Sequence, residues 1–463
     1  MMKTSSFRLF VYLIFTIAVS FRIVLATVNK GYANDDHLKV SQLISETGKI
    51  PGPYDCWECN QQKLYHYTVA KLWSFLDLDT DKERFILAQL LNAVAGILTI
   101  LICWLFIKKQ SYQESTKLLC FSLVALNPGL IVINSQASND SFIILFGTIV
   151  IYSLYKVLIK PSIKDFLVLL ISSILAGITK TNSLILIIGV ICVLMIKMLS
   201  HGNFKFSLHT GYLGGLIIYI VVTIVSVGYF GEYYSNYNKY GKPLVYTVPT
   251  GELPNIYKKT DFFRPGVQSI IGGYFTFRII DMVKHPIITN DKYVYPLHRT
   301  SVWSQLYGRA NFIYFDNWPR GPWQSNDSKM MMVGRVALIL ALTPALIFLV
   351  GLIMDFRIWS SLFFRRDIDF LKSTHEWMFH IFIVGYLIFI ILFTAKGRDF
   401  SYMKMIYIYP GLFAALIPLL KGGDYVYKYM LKNRMSFLIF HTIIVALLVS
   451  YLIPIIDLIT KLT

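Results

Sequence analysis

Residues 85–107 read FILAQLLNAVAGILTILICWLFI, an uninterrupted stretch without a charged side chain. About 20 apolar residues cross the hydrocarbon core of a bilayer, so this stretch predicts a membrane-spanning helix. Similar stretches recur along the chain. They predict an all-α polytopic membrane protein with about eleven transmembrane helices. We expect these spans near residues 8–28, 85–107, 118–134, 141–159, 166–179, 183–199, 211–230, 333–353, 376–395, 402–420 and 436–459.

The composition agrees with a chain that faces lipid. Of the 463 residues, 55% are hydrophobic and 15% are charged, whereas soluble domains carry about 25% charged residues. A net charge of +18 would suggest nucleic acid as the partner of a soluble protein. Here lysines and arginines flank the apolar stretches and the sequence contains no RNA- or DNA-binding motif. We therefore expect the lipid bilayer as a partner and no nucleic acid.

The positive-inside rule orients the chain. With the N-terminus in the cytoplasm, lysines and arginines concentrate in the cytoplasmic connections. The short external turns then hold only Lys180, Lys396, Arg398 and Lys404. This orientation fits a bacterial or archaeal plasma membrane, or the endoplasmic reticulum of a eukaryote. It places two long segments, 29–84 and 231–332, on the non-cytoplasmic side.

These segments divide the chain into three parts. Residues 1–230 form a transmembrane module whose first external loop, 29–84, is folded. Residues 231–332 are rich in Tyr, Trp, Pro and Gly, too aromatic for a disordered linker; they predict a small external cap of short helices packed over the first loop. Residues 333–463 supply the C-terminal transmembrane helices.

The first external loop contains two predicted helices. His37 to Thr47 reads as a short helix that Asp35 or Asp36 could cap, with Gly48 as its stop. Leu64 to Leu76 is amphipathic and is expected to lie in the membrane interface. Between them, Cys56 and Cys59 form a lone Cys-x-x-Cys pair. A metal site needs a second ligand pair that the sequence lacks, which favours a local disulfide or two free thiols.

Five candidate charged residues follow from position alone. Asp35 and Asp36 lie just beyond the first span, where one could act as a general base or simply cap a helix. Lys63 begins the interfacial helix and is by default a surface lysine. Lys180 is the only cation of a long apolar stretch, so it either snorkels to the headgroups or contacts a phosphate. Arg398 runs against the positive-inside trend and needs a partner, either the aspartate that follows it or an anionic ligand.

Asn139 and Asp140 open the fourth predicted span at its outer end. An isolated Asn-Asp before an apolar stretch is usually a helix cap. The alternative is a carboxylate that positions an acceptor or a cation. Together, acids and cations from separate turns are predicted at one membrane face, where they could bind a lipid phosphate and act on a group attached to it.

At these positions the chain resembles the GT-C superfamily of polyprenyl-phosphate-sugar glycosyltransferases, which includes the protein O-mannosyltransferases and the lipid A aminoarabinose transferases. Asn34-Asp35-Asp36-His37 is similar to the acidic pair that follows the first span in the family. The stretch from Gln61 to Tyr67, with Tyr65 and His66, looks like the family's Gln/His-Pro-Pro-Leu-Tyr-Tyr segment. Further matches are Asn127-Pro128, Ser138-Asn139-Asp140-Ser141, Gly177-Ile178-Thr179-Lys180 and Arg398 to Pro410.

The resemblance implies a mechanism and the roles of the residues. Lys63, Lys180 and Arg398 would hold the phosphate of a dolichyl- or undecaprenyl-phosphate sugar. Asp35, with Asp36 as the second choice by position, would take a proton from a protein, lipid or glycan acceptor, and Asp140 with Asn139 would position the acceptor or a cation. The transfer would invert the anomeric carbon. Metal dependence varies in the superfamily, so no cofactor is implied with certainty and a divalent cation stays open.

Two rival functions remain open. A transporter or flippase of a lipid-linked or anionic substrate would bind at mid-membrane, often between paired repeats, and no repeat is visible here. A non-catalytic assembly subunit would not need acids and cations at each matched position. The sequence therefore favours an enzyme, a hexosyl- or pentosyltransferase with a lipid-linked donor.

Overall fold

A computed structural model describes residues 4–33, 35–199, 206–245, 270–287, 297–315, 321–325, 327–364, 374–396 and 403–463. Within these ranges the regular elements are helices, and no β-strand occurs. The α-helices are α1 (Thr4–Val28), α2 (His37–Thr47), α3 (Leu64–Phe75), α4 (Asp81–Lys109), α5 (Glu114–Ala125), α6 (Pro128–Ile133), α7 (Asp140–Ile159), α8 (Ile163–Gly177), α9 (Leu184–Leu199), α10 (Phe206–Phe230), α11 (Tyr233–Tyr240), α12 (Ile270–Tyr274), α13 (Ile279–Lys284), α14 (Val302–Asn311), α15 (Ser328–Leu340), α16 (Leu342–Phe364), α17 (Thr374–Lys396), α18 (Leu416–Tyr425) and α19 (Arg434–Leu462). Short 3-10 helices span Thr181–Ser183, Leu297–Thr300, Gly321–Trp323, Met405–Tyr407 and Tyr409–Ala415, and a π-helix spans Val426–Met430.

Eight helical stretches in the described ranges are long and apolar enough to cross a membrane. They are α1, α4, α7, α9, α10, the consecutive helices α15 and α16, α17, and α19. The protein is therefore an integral multi-pass membrane protein, and the all-α prediction is confirmed. The other three predicted spans form helices that are shorter or interrupted.

The interval 118–134, predicted as one span, forms α5 and α6 with a break at Asn127-Pro128. The Asn127 side chain accepts a hydrogen bond from the Leu130 amide at 3.0 Å and so begins a new helix. Pro128 suits the first position of that helix, because it has no amide hydrogen to leave unpaired. The interval 166–179 corresponds to α8, and the interval 402–420 begins with 3-10 turns around Pro410 before α18.

The first loop folds as predicted into two packed helices, α2 and α3. Asp36 caps α2 by accepting from the Lys39 amide, and Gly48 ends it with a positive φ of 67°, a conformation that glycine adopts without strain. Val40 and Ile44 of α2 pack on Ala70 of α3. We call the end of the helix bundle that carries residues 29–84 the loop end.

The described parts of 231–332 also lie at the loop end. The Trp323 indole donates to the Asn29 side chain at 3.2 Å, and the rings of Tyr54 and Tyr240 pack edge to face. α14 packs against α6. The first loop therefore has neighbours from both ends of the chain's long second segment.

A buried turn over residues 134–139 connects α6 to α7. The Asn92 side chain of α4 donates to the Ser138 carbonyl at 2.7 Å and also to that of Gln136. Arg22 of α1 donates from Nε to Asn134 Oδ1 at 2.9 Å and from another guanidinium nitrogen to the Ala125 carbonyl at 2.9 Å. These bonds fix the position at which α7 begins.

Candidate active site at the loop end

The first residue of α7 forms a buried ion pair. Asp140 Oδ1 lies 2.6 Å from Lys180 Nζ, and the two side chains are 4% and 11% exposed. Lys180 lies between the end of α8 at Gly177 and the 3-10 turn Thr181–Ser183. One helix ends before Lys180-Thr181-Asn182 and another begins after it, so the structure has a turn here and not a kink within one helix; α8 itself is not among the eight helices long enough to cross a membrane.

The Asn139 side chain does not cap α7, although that is the usual role of its residue type at this position. Its side-chain amide instead donates to Gln61 Oε1 at 2.7 Å and to the Thr179 carbonyl at 3.2 Å. Gln61 of the first loop is thereby bonded to Asn139, the neighbour of Asp140, and Asn139 is bonded to Thr179, the neighbour of Lys180. Thr181 adds a second link, since its hydroxyl donates to Gln62 Oε1 at 3.0 Å.

A second ion pair joins the first loop to the C-terminal part of the chain. Asp35 Oδ2 lies 3.6 Å from Lys404 Nζ, with side-chain exposures of 28% and 8%. Burial acts to raise the pKa of the Asp35 carboxyl, but the charges of Lys404, His37 and Lys180 outweigh it and hold that pKa below its ordinary value. Asp35 is therefore an ionised carboxylate at neutral pH.

The adjacent carboxylates Asp35 and Asp36 take different environments. Asp36 is exposed and accepts a hydrogen bond from the Lys39 amide at 3.4 Å, as the cap of α2. Asp35 is directed to Lys404. The dipeptide thus supplies one helix cap and one carboxylate of the ion-pair cluster.

Lys63 is buried, with 6% exposure, so the default prediction of a surface lysine is wrong, whereas its role as a phosphate ligand stays a prediction. Its ammonium group donates to the carbonyls of Cys59 at 2.7 Å and Gln61 at 2.5 Å, and it pairs with Glu232 at 3.2 Å. Burial lowers the pKa of the Lys63 ammonium, and Glu232 offsets part of this effect. Three acceptors match its three hydrogens, so the ammonium group is fully hydrogen-bonded within the protein.

Tyr65 and His66 face the interior of the loop. Tyr65 donates to the Ala88 carbonyl of α4 at 3.2 Å. The His66 ring stacks on His37 with 5.3 Å between centroids, and burial holds its pKa well below the ordinary value, so the ring is neutral. Arg398, the third predicted phosphate ligand, lies outside the described residues.

A cavity opens beside Lys404. Its enclosed part has a volume of about 70 Å³, it is open to the outside, and it lies between α6, α14 and the 3-10 turns at 405–409. Its wall is mainly apolar, with Ile133 and Phe312 among the lining residues, and Lys404 and Arg309 supply positive charge. An apolar wall with cations at one side is suited to a lipid with an anionic head.

Sequence reasoning missed three residues of this cluster: Lys404, Gln61 as a hydrogen-bonding residue, and Glu58. The signal for Lys404 was present, because it is one of few cations in the predicted external turns. Glu58 is buried between Cys56 and Cys59, which form a disulfide. Among the described residues, no group of three or more His, Cys, Asp or Glu side chains could hold a metal ion.

Residues 72–227 match the family model described as dolichyl-phosphate-mannose-protein mannosyltransferase. This match confirms the predicted resemblance to the GT-C superfamily, and the matched segment includes Asn139, Asp140 and Lys180. No curated protein matches the chain at a significant level.

Two solved structures of ArnT from Cupriavidus metallidurans are similar to the chain. The one bound to undecaprenyl phosphate has a TM-score of 0.35 and 10% identity, and the match covers 90% of this chain and 77% of ArnT. The apo structure has a TM-score of 0.38 and 12% identity, covering 89% and 77%.

Proposed function

We propose that this protein is a glycosyltransferase that moves a sugar from a polyprenyl-phosphate donor to an acceptor on the non-cytoplasmic side of the membrane. One observation carries the proposal: the ion pairs Asp35–Lys404 and Asp140–Lys180 come together at the loop end, and Lys404 also lines an apolar-walled cavity. The family match over residues 72–227 supports the same reaction class.

Lys180 and Lys404 are the cations best placed to hold the donor phosphate. Lys404 pairs with Asp35, and the charge of Lys180 also lowers the pKa of Asp35, so both lysines lie near that carboxyl. Charge-assisted hydrogen bonds of this kind are worth about 1.5–3 kcal/mol each. The cavity beside Lys404 would take the first isoprene units of the lipid, with Arg309 as a further cation.

Asp35 is the proposed general base. In one displacement, an acceptor oxygen or nitrogen forms a bond to the anomeric carbon while the bond from that carbon to the phosphate oxygen breaks. The acceptor proton goes to Asp35, and the electron pair leaves with the lipid phosphate, where Lys180 and Lys404 stabilise the growing charge. Attack opposite the leaving group inverts the anomeric configuration.

The other predicted residues take supporting roles. Asp140 orients Lys180 through their ion pair, and Asp140 with Asn139 stays proposed to position the acceptor or a cation. Asp36, Lys63, Tyr65 and His66 hold the first loop in place. Arg398 stays proposed as a phosphate ligand, and a divalent cation stays open.

The proposed orientation of the site rests on charge. In the described part of the chain, lysines such as Lys108, Lys109 and Lys160 lie in the connections at the end opposite the loop end, which the positive-inside rule assigns to the cytoplasm. The proposed donor and acceptor therefore meet on the far side, in the periplasm, the cell exterior or the lumen of the endoplasmic reticulum.

The test is release of lipid phosphate from radiolabelled polyprenyl-phosphate sugars by the purified protein. We expect Asp35→Asn to lower the rate by about 100-fold or more, the usual range for a general base. Asp36→Asn is the matched control and should stay within a few-fold of wild type. Equal losses in both variants, or uptake of intact donor into sealed vesicles without bond cleavage, would overturn the proposal; the second result would favour a transporter.

A further inference from the structure

Glu58 is a buried carboxylate that the proposed reaction does not use. It lies in the sequence Cys56-Trp57-Glu58-Cys59, and the disulfide between the two cysteines closes this turn. Only 5% of Glu58 is exposed. A buried carboxylate is costly unless it has partners, so its position needs an explanation.

The partner of Glu58 is the side-chain amide of Gln61. Gln61 Nε2 donates to Glu58 Oε2, and Gln61 Oε1 accepts from Asn139 Nδ2 at 2.7 Å. An amide has a donor end and an acceptor end, whereas a carboxylate only accepts. Glu58 therefore dictates that the Gln61 nitrogen faces the disulfide turn and that its oxygen faces Asn139.

The Asn139 amide in turn links the two segments that carry the ion pair. It donates to Gln61 Oε1 and to the Thr179 carbonyl; Asn139 directly precedes Asp140 in the chain, and Thr179 directly precedes Lys180. A reversed Gln61 amide would present its NH₂ group to the Asn139 NH₂ group, which repels it. The amide orientation that Glu58 sets at Gln61 therefore also determines the orientation of the Asn139 amide beside Asp140.

We propose that Glu58, held in the turn closed by the Cys56–Cys59 disulfide, is a positioning residue that orients the Asp140–Lys180 pair through Gln61 and Asn139. This inference rests on the proposed function for its activity readout. The electrostatic surroundings agree with a place beside the site. Burial and, after it, the charge of Asp35 raise the pKa of Glu58, while His37, Lys180 and Lys404 oppose the rise.

A charge exchange tests the chain of hydrogen bonds. Gln61→Glu places two carboxylates against each other, and we expect lipid-phosphate release to fall by about tenfold or more. In the double variant Glu58→Gln/Gln61→Glu, the amide now at position 58 can donate to the carboxylate now at position 61, and that carboxylate can still accept from Asn139. We expect this variant to recover most of the lost kcat with little change in the donor KM. A double variant no better than Gln61→Glu would overturn the proposal.

Removal of the Cys56–Cys59 disulfide tests independently whether the turn that it closes positions Glu58. We expect the pair Cys56→Ser/Cys59→Ser to lower activity in the same direction as Glu58→Ala, and the triple variant to be no worse than Glu58→Ala alone, because both changes release one turn. Additive losses would show that the disulfide acts elsewhere and would contradict the role given to it.

Hydrogen–deuterium exchange separates this inference from the proposed function. Gln61→Glu should raise amide hydrogen exchange in the turn around Lys180, where the Leu64 amide donates to the Ile178 carbonyl at 3.2 Å. The double variant Glu58→Gln/Gln61→Glu should lower this exchange again. Absence of lipid-phosphate release by wild type would end the proposed function while leaving this readout intact. Unchanged exchange around Lys180 in Gln61→Glu would end the inference.

Discussion

Two clusters of buried charge lie at opposite ends of the bundle, and the chain builds them differently. At the loop end, Asp35–Lys404 and Asp140–Lys180 join side chains from loops and helix ends. At the other end, Asp355 of α16 contacts Lys421 of α18 at 2.5 Å and His380 of α17 at 3.0 Å, so three helices contribute directly.

The surroundings of the clusters differ as well. Helices α16 and α18 pack backbone to backbone near Asp355. Glycine permits this close approach, since a Cβ at Gly351 would collide with the Pro418 carbonyl and one at Gly422 with the Ile347 carbonyl. At the loop end, Lys404 borders an open cavity. Intramembrane charges usually mark function; here the packed cluster is suited to clamp helices, and the one beside a cavity to bind a ligand.

The largest expected effect is on stability at the packed end. Lys421→Met leaves the Asp355 carboxylate without its lysine, and breaking a buried pair costs about 3–5 kcal/mol of unfolding free energy. Thermal unfolding in detergent measures the loss, and Lys421→Met/Asp355→Asn should regain much of it. Activity per folded molecule should stay near wild type; a selective loss of turnover would give this cluster a functional role.

The next effect is on donor binding at the loop end. Lys180→Met removes a proposed phosphate contact, and we expect the donor to bind about 10- to 100-fold more weakly. Adding Asp140→Asn should restore stability, since the unpaired carboxylate is gone, but not donor affinity. Recovery of affinity in the double variant would show that Lys180 serves only Asp140. Donor titration and thermal unfolding together separate the two results.

A third prediction concerns pH. The pKa of Asp35 is held down by Lys404, His37 and Lys180, so its ionised form is lost only when the pH falls below the ordinary range of Asp. Lys404→Met removes the main lowering charge, and the acid limb of kcat/KM should move to higher pH. An unmoved limb in this variant would mean that Asp35 is not the titrating base.

The smallest effect on donor affinity is expected at Lys63. Lys63→Met breaks the pair with Glu232, which is 29% exposed, and removes the hydrogen bonds to the Cys59 and Gln61 carbonyls. We expect the loss to fall on the stability of the loop, about 1 kcal/mol or less for the partly exposed ion pair and about 1–3 kcal/mol for each buried carbonyl left unpaired. Donor affinity should change by less than the change in Lys180→Met. A larger loss of donor affinity than in Lys180→Met would indicate that Lys63 contacts the donor phosphate.

The sequence predicts local features, such as helix bounds, and it predicts that the candidate site residues lie at one membrane face. Helix α2 has its predicted bounds because Asp36, the apolar spacing and Gly48 are all local signals. Asp140 and Lys180 are expected at one face because each lies at the end of an apolar stretch. The Asn127-Pro128 break inside a predicted span is missed, since the stretch remains apolar through it.

The direction of individual side chains could not be predicted. Whether Asp35 or Asp36 enters the site depends on the irregular segment before α2, and Lys63 turns inward because Glu232, far away in the chain, meets it. Glu58 falls in a predicted loop, and nothing in a Cys-x-x-Cys pair reveals the partner of a residue between the cysteines. The contacts of Asp35 and Lys63 arise from tertiary packing of loops, which has no periodic signal, and the Glu58–Gln61 contact is a local one in an irregular turn, which has none either.

The most direct test of the central claim is an experimental structure of the protein with a polyprenyl phosphate bound. We expect the phosphate to lie within hydrogen-bonding distance of Lys180 and Lys404, with the lipid chain entering the cavity beside Phe312 and Asp35 facing the open side of the phosphate. A phosphate bound at the opposite end of the bundle, or at the loop end without contact to either lysine, would contradict the account.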